Sequence, residues 1–339
     1  MLFKILYNHL RKIWKNIMPK ISIITPVYNT EEYLQTYFKS ILNQTFKDFE
    51  IICVDDSSTD NSLSILQTFA QKDSRIKIYH HEKNLGSGPA RNTAIEKAQG
   101  KYFVFVDSDD TVEQKYLEKI YYAYEKYNCE CLALSPRSNK TYIVRPYATM
   151  DFSISKKMIE KFPNIKYTNT RPCEDGLFNF MFSTLSNNIE VLQDITYNYI
   201  QRPTSSENTM NNDIIINNIP QWFEILEKFY DEYDLWKTKK ELLLNFIYFE
   251  PYYRFQNPHM TEHESQKIFE IIHNFLDKHA IYNKTKVYNF PMPFRIFCET
   301  NSYKEYLKIL NAPLIFKNKI RFRKIKNFIK NLTAKKHTC

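Results

Sequence analysis

The apolar run Tyr102–Val106 opens directly into Asp107, Ser108, Asp109 and Asp110. Carboxylates crowded at the end of a buried strand are costly unless a cation neutralises them. Hard oxygen donors suit Mg2+ or Mn2+, which keep waters and bind through one or two carboxylates plus substrate phosphates. These residues could therefore hold a metal and, through it, a diphosphate. They read equally well as an acidic turn capping a helix that begins near Val112, with Asp109 or Asp110 at the N-cap. Two further acidic pairs carry the same ambiguity. Asp55 and Asp56 end the run Phe49–Val54 and could cap the following turn. Glu174 and Asp175 precede the helical stretch Leu177–Leu185, which two adjacent acids can simply cap.

The elements that would position these groups alternate. Strands are predicted at Ile21–Thr25, Phe49–Val54, Ile76–His80 and Lys101–Val106, with helices at Glu32–Asn43, Asp60–Gln71 and Ala90–Ala98. Such alternation predicts an α/β fold with a mostly parallel sheet and helices on both faces. Ligands of such sheets bind beyond the carboxyl ends of the strands. Four loops should meet there: Pro26–Asn29, Asp55–Asp60, Gly86–Asn92 and Asp107–Asp110. The chain has four glycines, Gly86, Gly88, Gly100 and Gly176. Gly86 and Gly88 suggest a backbone passing close to a ligand or adopting positive φ, and Gly100 reads as a helix C-cap.

The turn after the first strand reads TPVYNTEEY, without the GxGxxG of a dinucleotide site, and no Walker A sequence occurs. A dehydrogenase is disfavoured, and phosphate must be handled by metal and cationic side chains. Beyond Pro203 the sequence turns polar and then helical, through Trp222–Tyr230, Leu242–Phe249 and Ser265–His279. Its aromatic residues, Tyr248, Tyr252, Tyr253 and Phe255 among them, read mostly as helix core.

A net charge of +9 over 339 residues would suit nucleic acid if it were spread over the chain. It is concentrated at the ends, with nine Lys or Arg between Lys317 and Lys336 and five among Lys4, Arg11, Lys12, Lys15 and Lys20; the remainder sums to about −5. Both ends show helical apolar spacing with basic opposite faces, which suits an anionic membrane surface or docking on the body. Charges interrupt every apolar run before it reaches the length of a bilayer span, and the start lacks a signal-peptide apolar region. Six cysteines without CxxC spacing read as reduced, packed thiols.

Taken together, ISIITPVYNTEEYL, SILNQTFKDFEIICVDDSSTDNS, KNLGSGPARNTAIEKAQGKYFVFVDSDD and RPCEDGLFNF resemble the family 2 glycosyltransferases of the GT-A fold, over about Lys20–Arg202. The resemblance implies an inverting transferase that moves a sugar from a nucleotide-sugar donor, with UDP-sugar as the expected donor, to a hydroxyl of a growing bacterial surface glycan or lipid-linked glycan. Pro26 and Tyr28 would line the base pocket, Asp56 would accept a hydrogen bond from the base, and Asp55 would support that loop. Arg91 and Asn92 would close over the nucleotide. Asp109 would ligate Mn2+ or Mg2+ with Asp107, which together with Ser108 would also meet the nucleotide sugar. Asp175 would be the catalytic base, Glu174 would orient the acceptor or a neighbouring cation, and Arg202 would approach the diphosphate.

The organisation implied is a basic amphipathic helix at 1–18, a GT-A nucleotide-diphospho-sugar transferase domain at 19–205, a mainly α-helical extension at 206–312 and a basic tail at 313–339. The expected setting is cytoplasmic and peripheral on the inner membrane face, with no nucleic-acid partner. A nucleotidyltransferase is the rival enzyme, although it needs a glycine- and lysine-rich loop near its start. A basic nucleic-acid-binding protein is the non-enzymatic rival, and it leaves the acidic cluster without a role.

Overall fold

Strands β1 (Ile21–Val27), β2 (Phe49–Asp55), β3 (Ile76–His80) and β4 (Tyr102–Phe105) run parallel in the order β3-β2-β1-β4. A computed structural model describes residues 18–136, 149–200, 211–281 and 290–310 of the chain. Beside β4 lies β7 (Phe152–Ser155), antiparallel, followed by β6 (Cys131–Pro136) and β8 (Ile189–Ile195), which are parallel to each other. The seven-stranded sheet is thus mostly parallel, as the alternation of elements predicts. A small ribbon pairs β5 (Thr111–Val112) with β9 (Tyr197–Asn198) antiparallel.

Alternate residues of the inner strands serve opposite faces. Ile21, Ile23, Ile51, Cys53, Tyr102 and Val104 pack with Leu34, Tyr37, Phe38 and Ile41 of α1 (Glu31–Leu42) and with Leu117, Ile120 and Tyr124 of α4 (Tyr116–Tyr127). Between these helices in the chain come α2 (Ser62–Lys72) and α3 (Ser87–Lys97). The small buried residues Ala90 and Ala94 of α3 allow it to pack close against β1 and β2. Beyond the short α5 (Lys156–Lys161) lies α6 (Glu174–Leu185). Its Phe178 stacks on Tyr167 at 4.0 Å and meets Phe105 of β4 edge-on at 6.0 Å. That contact brings the acidic start of α6 toward the carboxyl edge of the sheet.

Two differences from the sequence reading concern helix caps. The helix expected near Val112 starts at Tyr116, with Lys115 at its N-cap, because Thr111 and Val112 are drawn into the ribbon with β9. Asp109 and Asp110 therefore do not cap a helix. Gly100 is not a C-cap either, since α3 ends at Lys97 with Ala98 extended. A Cβ on Gly100 would lie 2.5 Å from the backbone N of Ser22, and its own N–H donates to Ser22 Oγ and Glu50 Oε1. Close approach of two backbones requires glycine there.

The described residues form two compact units divided between Phe229 and Tyr230, within α7 (Asn212–Glu232). The second unit holds α8 (Leu243–Phe249), α9 (Pro251–Phe255), α10 (Glu262–Lys278), α11 (Met292–Glu299) and α12 (Tyr303–Leu310). A capping box at Thr261 and Glu264 starts α10. Tyr252 and Phe255 are buried against Phe294, Phe297 and Tyr306, as expected of helix core, whereas Tyr253 is exposed. No helix of the described residues is long and apolar enough to cross a membrane. Cys53, Cys129, Cys131, Cys173 and Cys298 are buried free thiols. The basic ends expected at 1–18 and 313–339 lie outside the described residues, Met18 excepted.

Candidate active site

Because β1, β2, β3 and β4 are parallel, the loops that follow them emerge at one edge. Asn29, at φ 50°, turns the chain out of β1, and its Oδ1 accepts the N–H of Thr59 at 2.8 Å. Thr30 N–H donates to Ser62 Oγ at 2.9 Å, and Glu31 N–H to Asp60 at 3.1 Å. These bonds fasten the loop after β1 to the loop after β2. Pro26 is half-buried, while the ring of Tyr28 is 44% exposed and offers a face for a planar base.

Asp55 and Asp56 are both buried at the end of β2. Asp56 accepts from the N–H groups of Leu85 and Gly86, at 3.0 and 2.6 Å, and lies 2.7 Å from His81 Nδ1. The same carboxylate that was expected to read a base thus also holds the 81–86 loop. Asp55 Oδ2 accepts from Ser58 N–H and meets His80 Nδ1 at 2.8 Å, while Oδ1 is buried without a partner. Gly86, at φ +100°, serves as N-cap of α3, a conformation that other residues adopt only with strain.

Helix α3 meets both remaining acidic motifs. Ser87 Oγ donates to Glu174 Oε1 at 2.9 Å, and the Arg91 guanidinium donates to Asp107 Oδ1 at 2.8 Å. Arg91 is buried, and the carboxylate of Asp107 is only 25% exposed. Burial works against the charge of this guanidinium, but Asp107, Tyr167 and Glu174 together outweigh it, so the net shift makes deprotonation harder. Asn92, expected at the nucleotide, clamps the backbone of Tyr167: its Nδ2 donates to the carbonyl at 2.8 Å and its Oδ1 accepts the N–H at 2.9 Å.

The acidic turn itself is well enclosed. Ser108 accepts from Thr30 Oγ1 at 3.1 Å, and Asp109 is buried. Burial, then the charges of Asp107 and Asp109, push the Asp110 carboxyl up to about 7 against the hydrogen bonds of Ile200 and Tyr197. At the start of α6, Asp175 Oδ1 accepts the N–H of Gly176 at 2.8 Å, so part of its role is to satisfy the first turn. Arg202 lies outside the described residues.

Among the described residues, no three His, Cys, Asp or Glu side chains converge as a protein-only metal cage. The donors in the turn are hard carboxylate oxygens, some already committed to Arg91, Tyr197 and Ile200. That set fits a Mg2+ or Mn2+ ion whose remaining ligands are substrate phosphates and water. Tyr197, whose hydroxyl touches both ends of this turn, escaped the sequence reading. It carries no motif, and only the pairing of β9 with β5 brings it there.

A doubly faced, mostly parallel sheet with acidic loops gathered at its carboxyl edge defines the GT-A class of nucleotide-diphospho-sugar transferase folds. Residues 22–187 match the family model of glycosyl transferase family 2, and the domain they form belongs to that family. Over 102 residues, 30% of this chain, the sequence is 48% identical to an uncharacterized glycosyltransferase of Haemophilus influenzae, covering 41% of that protein. It is 33% identical over 175 residues to the cholesterol galactosyltransferase of Borreliella burgdorferi, covering 49% of this chain and 46% of that one. It is 45% identical over 105 residues to the poly(ribitol-phosphate) beta-glucosyltransferase of Bacillus spizizenii, covering 30% of this chain and 17% of that one. The chain thus spans less than half the length of these curated relatives. In three dimensions it is similar to S. aureus TarS 1–349 in complex with UDP-GlcNAc, with a TM-score of 0.64, 20% identity, and coverage of 82% of this chain and 86% of that one. It is also similar to the mannosyltransferase PcManGT of Pyrobaculum calidifontis in complex with GDP-Man and Mn2+, with a TM-score of 0.52, 14% identity, and coverage of 87% and 92%.

Proposed function

We propose that the protein transfers a sugar from a nucleoside-diphosphate donor, UDP-linked in our reading, to a hydroxyl of a growing surface glycan or lipid-linked glycan, with inversion at the anomeric carbon. The observation that carries this reading is that one helix touches both acidic motifs. Ser87 and Arg91 are four residues apart on α3, so their side chains are neighbours about 5–6 Å apart at Cβ on one helix face. One bonds Glu174 and the other Asp107. The carboxylate we assign to the diphosphate side and the acidic pair that contains our proposed base therefore adjoin the same short helix face, which favours a single displacement.

Asp109 and Asp107 are the residues that would hold Mn2+ or Mg2+, and when bound the ion supplies Lewis-acid neutralisation of the departing diphosphate. Tyr28 stacks on the base from the exposed end of β1. Asp56 fixes the loop beneath α3, and Arg91 is positioned to offset diphosphate charge beside Asp107. Asp175 takes the proton of the acceptor hydroxyl as its oxygen attacks the anomeric carbon and the nucleoside diphosphate leaves. Glu174 orients the acceptor side through Ser87. The names of the galactosyl- and glucosyltransferase relatives favour a hexose donor and a lipid or polymer acceptor. The basic ends would keep a cytoplasmic enzyme at the inner membrane face, beside such an acceptor.

The test is nucleotide release from a panel of UDP-, GDP- and CMP-sugars with Mn2+, comparing the wild type with Asp109→Ala and Asp175→Asn. One donor should be turned over, metal-dependently. Asp109→Ala should abolish this metal-dependent turnover, and Asp175→Asn should bind the nucleotide yet lose turnover by about 100-fold or more, the contribution of a positioned general base. Full turnover by Asp175→Asn would remove it from the mechanism.

A further inference from the structure

At the chemical edge of the sheet, Val106 N–H reaches Ile24 O at 3.2 Å; beyond it, the Asp107–Asp110 turn is closed by the bond from Asp110 N–H to Asp107 O at 3.1 Å. A turn that carries three carboxylates repels itself. Restraint comes from β9. Tyr197 stands opposite Val112 in the ribbon, is buried, and lies edge-on to Tyr116 at 6.3 Å. Its hydroxyl accepts the N–H of Asp107 at 3.1 Å and donates to Asp110 Oδ2 at 2.7 Å. The other oxygen of Asp110 accepts the N–H of Ile200 at 2.8 Å.

A phenol can bridge the two ends of the turn because it donates and accepts at once. Burial of a tyrosine at this place does not by itself produce such a bridge. The neighbouring Tyr116 hydroxyl is equally buried and has no hydrogen-bond partner.

We infer that Tyr197 is a positioning residue, its hydroxyl holding the Asp107–Asp110 turn in the geometry that receives a metal–nucleoside diphosphate. The inference rests on the transferase reading and deepens it, giving the β5–β9 ribbon a task in donor binding. Removal of the hydroxyl deprives Asp107 N–H and Asp110 Oδ2 of a buried partner together. The turn then relaxes, and Asp109, between them, is no longer presented in one place.

The experiment titrates Mn2+ against UDP and GDP binding by calorimetry on the full chain, for the wild type, Tyr197→Phe and Tyr116→Phe. Tyr197→Phe should raise the Mn2+ concentration for half-maximal binding about tenfold, the effect of losing such bonds, and leave binding in EDTA unchanged. Tyr116→Phe should match the wild type. Asp110→Asn, which keeps one of the two acceptors, should shift the Mn2+ midpoint the same way and provides the reading if Tyr197→Phe does not fold. A role confined to stability would lower the melting temperature without moving the Mn2+ midpoint, and that result overturns the inference. So would an equal loss with and without metal. If the wild type binds neither nucleotide with Mn2+, the transferase reading itself falls and takes the inference with it. If the wild type binds and Tyr197→Phe binds identically, only the inference falls.

Discussion

Asp110 shows how single groups in this site trade stability for readiness. Its carboxyl is pushed up to about 7 by burial and by the charges of Asp107 and Asp109, whereas in the unfolded chain it ionises near 3.9. Between those values the folded protein binds more protons than the unfolded one, so stability falls as pH rises through about 4 to 7. A bound divalent cation would reverse this by favouring the charged form. The metal-free wild type should therefore lose about 2–3 kcal/mol relative to Asp110→Asn between pH 5 and pH 7.5, read as a difference in denaturant midpoint at each pH. Adding Mn2+ should restore much of the loss in the wild type and little in the variant. Parallel pH profiles for the two proteins would mean that Asp110 titrates normally.

At the scale of elements, the loop between β3 and α3 is built around one carboxylate. Asp56 receives Leu85 N–H and Gly86 N–H and contacts His81, whose Nε2 in turn meets Thr93 Oγ1 of α3 at 2.9 Å. Asp56→Ala would leave buried donors without an acceptor, which costs about 1–3 kcal/mol. It should also speed amide exchange at Leu85 and Gly86 well above that in β1 and β2, measured by hydrogen–deuterium exchange, while unchanged exchange there would show that the loop is held by other means. Strands β1 to β4 and the helices between them were legible in the sequence because apolar periodicity is set by burial, and β3 was bounded at Ile76–His80 in both readings, whereas β6, β7 and β8 were not read. The loops that carry the site were legible for a related reason: parallel strands force their carboxyl ends together. Less legible was which polar partner each loop residue takes. Asn92 turns to Tyr167, Asp56 to a neighbouring loop and Gly100 to Ser22, all through contacts distant in sequence. Tyr197 was invisible because a two-residue ribbon has too short a pattern to detect.

For the whole molecule, charge is the organising fact. Fourteen basic residues lie in the two end segments, and the remainder is near −5. A mildly acidic body is repelled by an anionic bilayer, so any affinity for one must come from the ends. Near a membrane surface each Lys or Arg contributes about 1 kcal/mol, and salt screens it. The nine cations between Lys317 and Lys336 are therefore ample for peripheral binding even if some face the body. The full chain should cosediment with vesicles containing phosphatidylglycerol at low salt and be released at high salt, and a chain ending at residue 312 should bind about tenfold more weakly or not at all. Neutral phosphatidylcholine vesicles separate charge from apolar insertion, since equal binding to both compositions would assign the attachment to the aromatic and aliphatic faces of the segments. Undiminished binding of the shortened chain to anionic vesicles would move the attachment to the start of the chain or to the folded body. In either case the acceptor would have to be sought on a different surface.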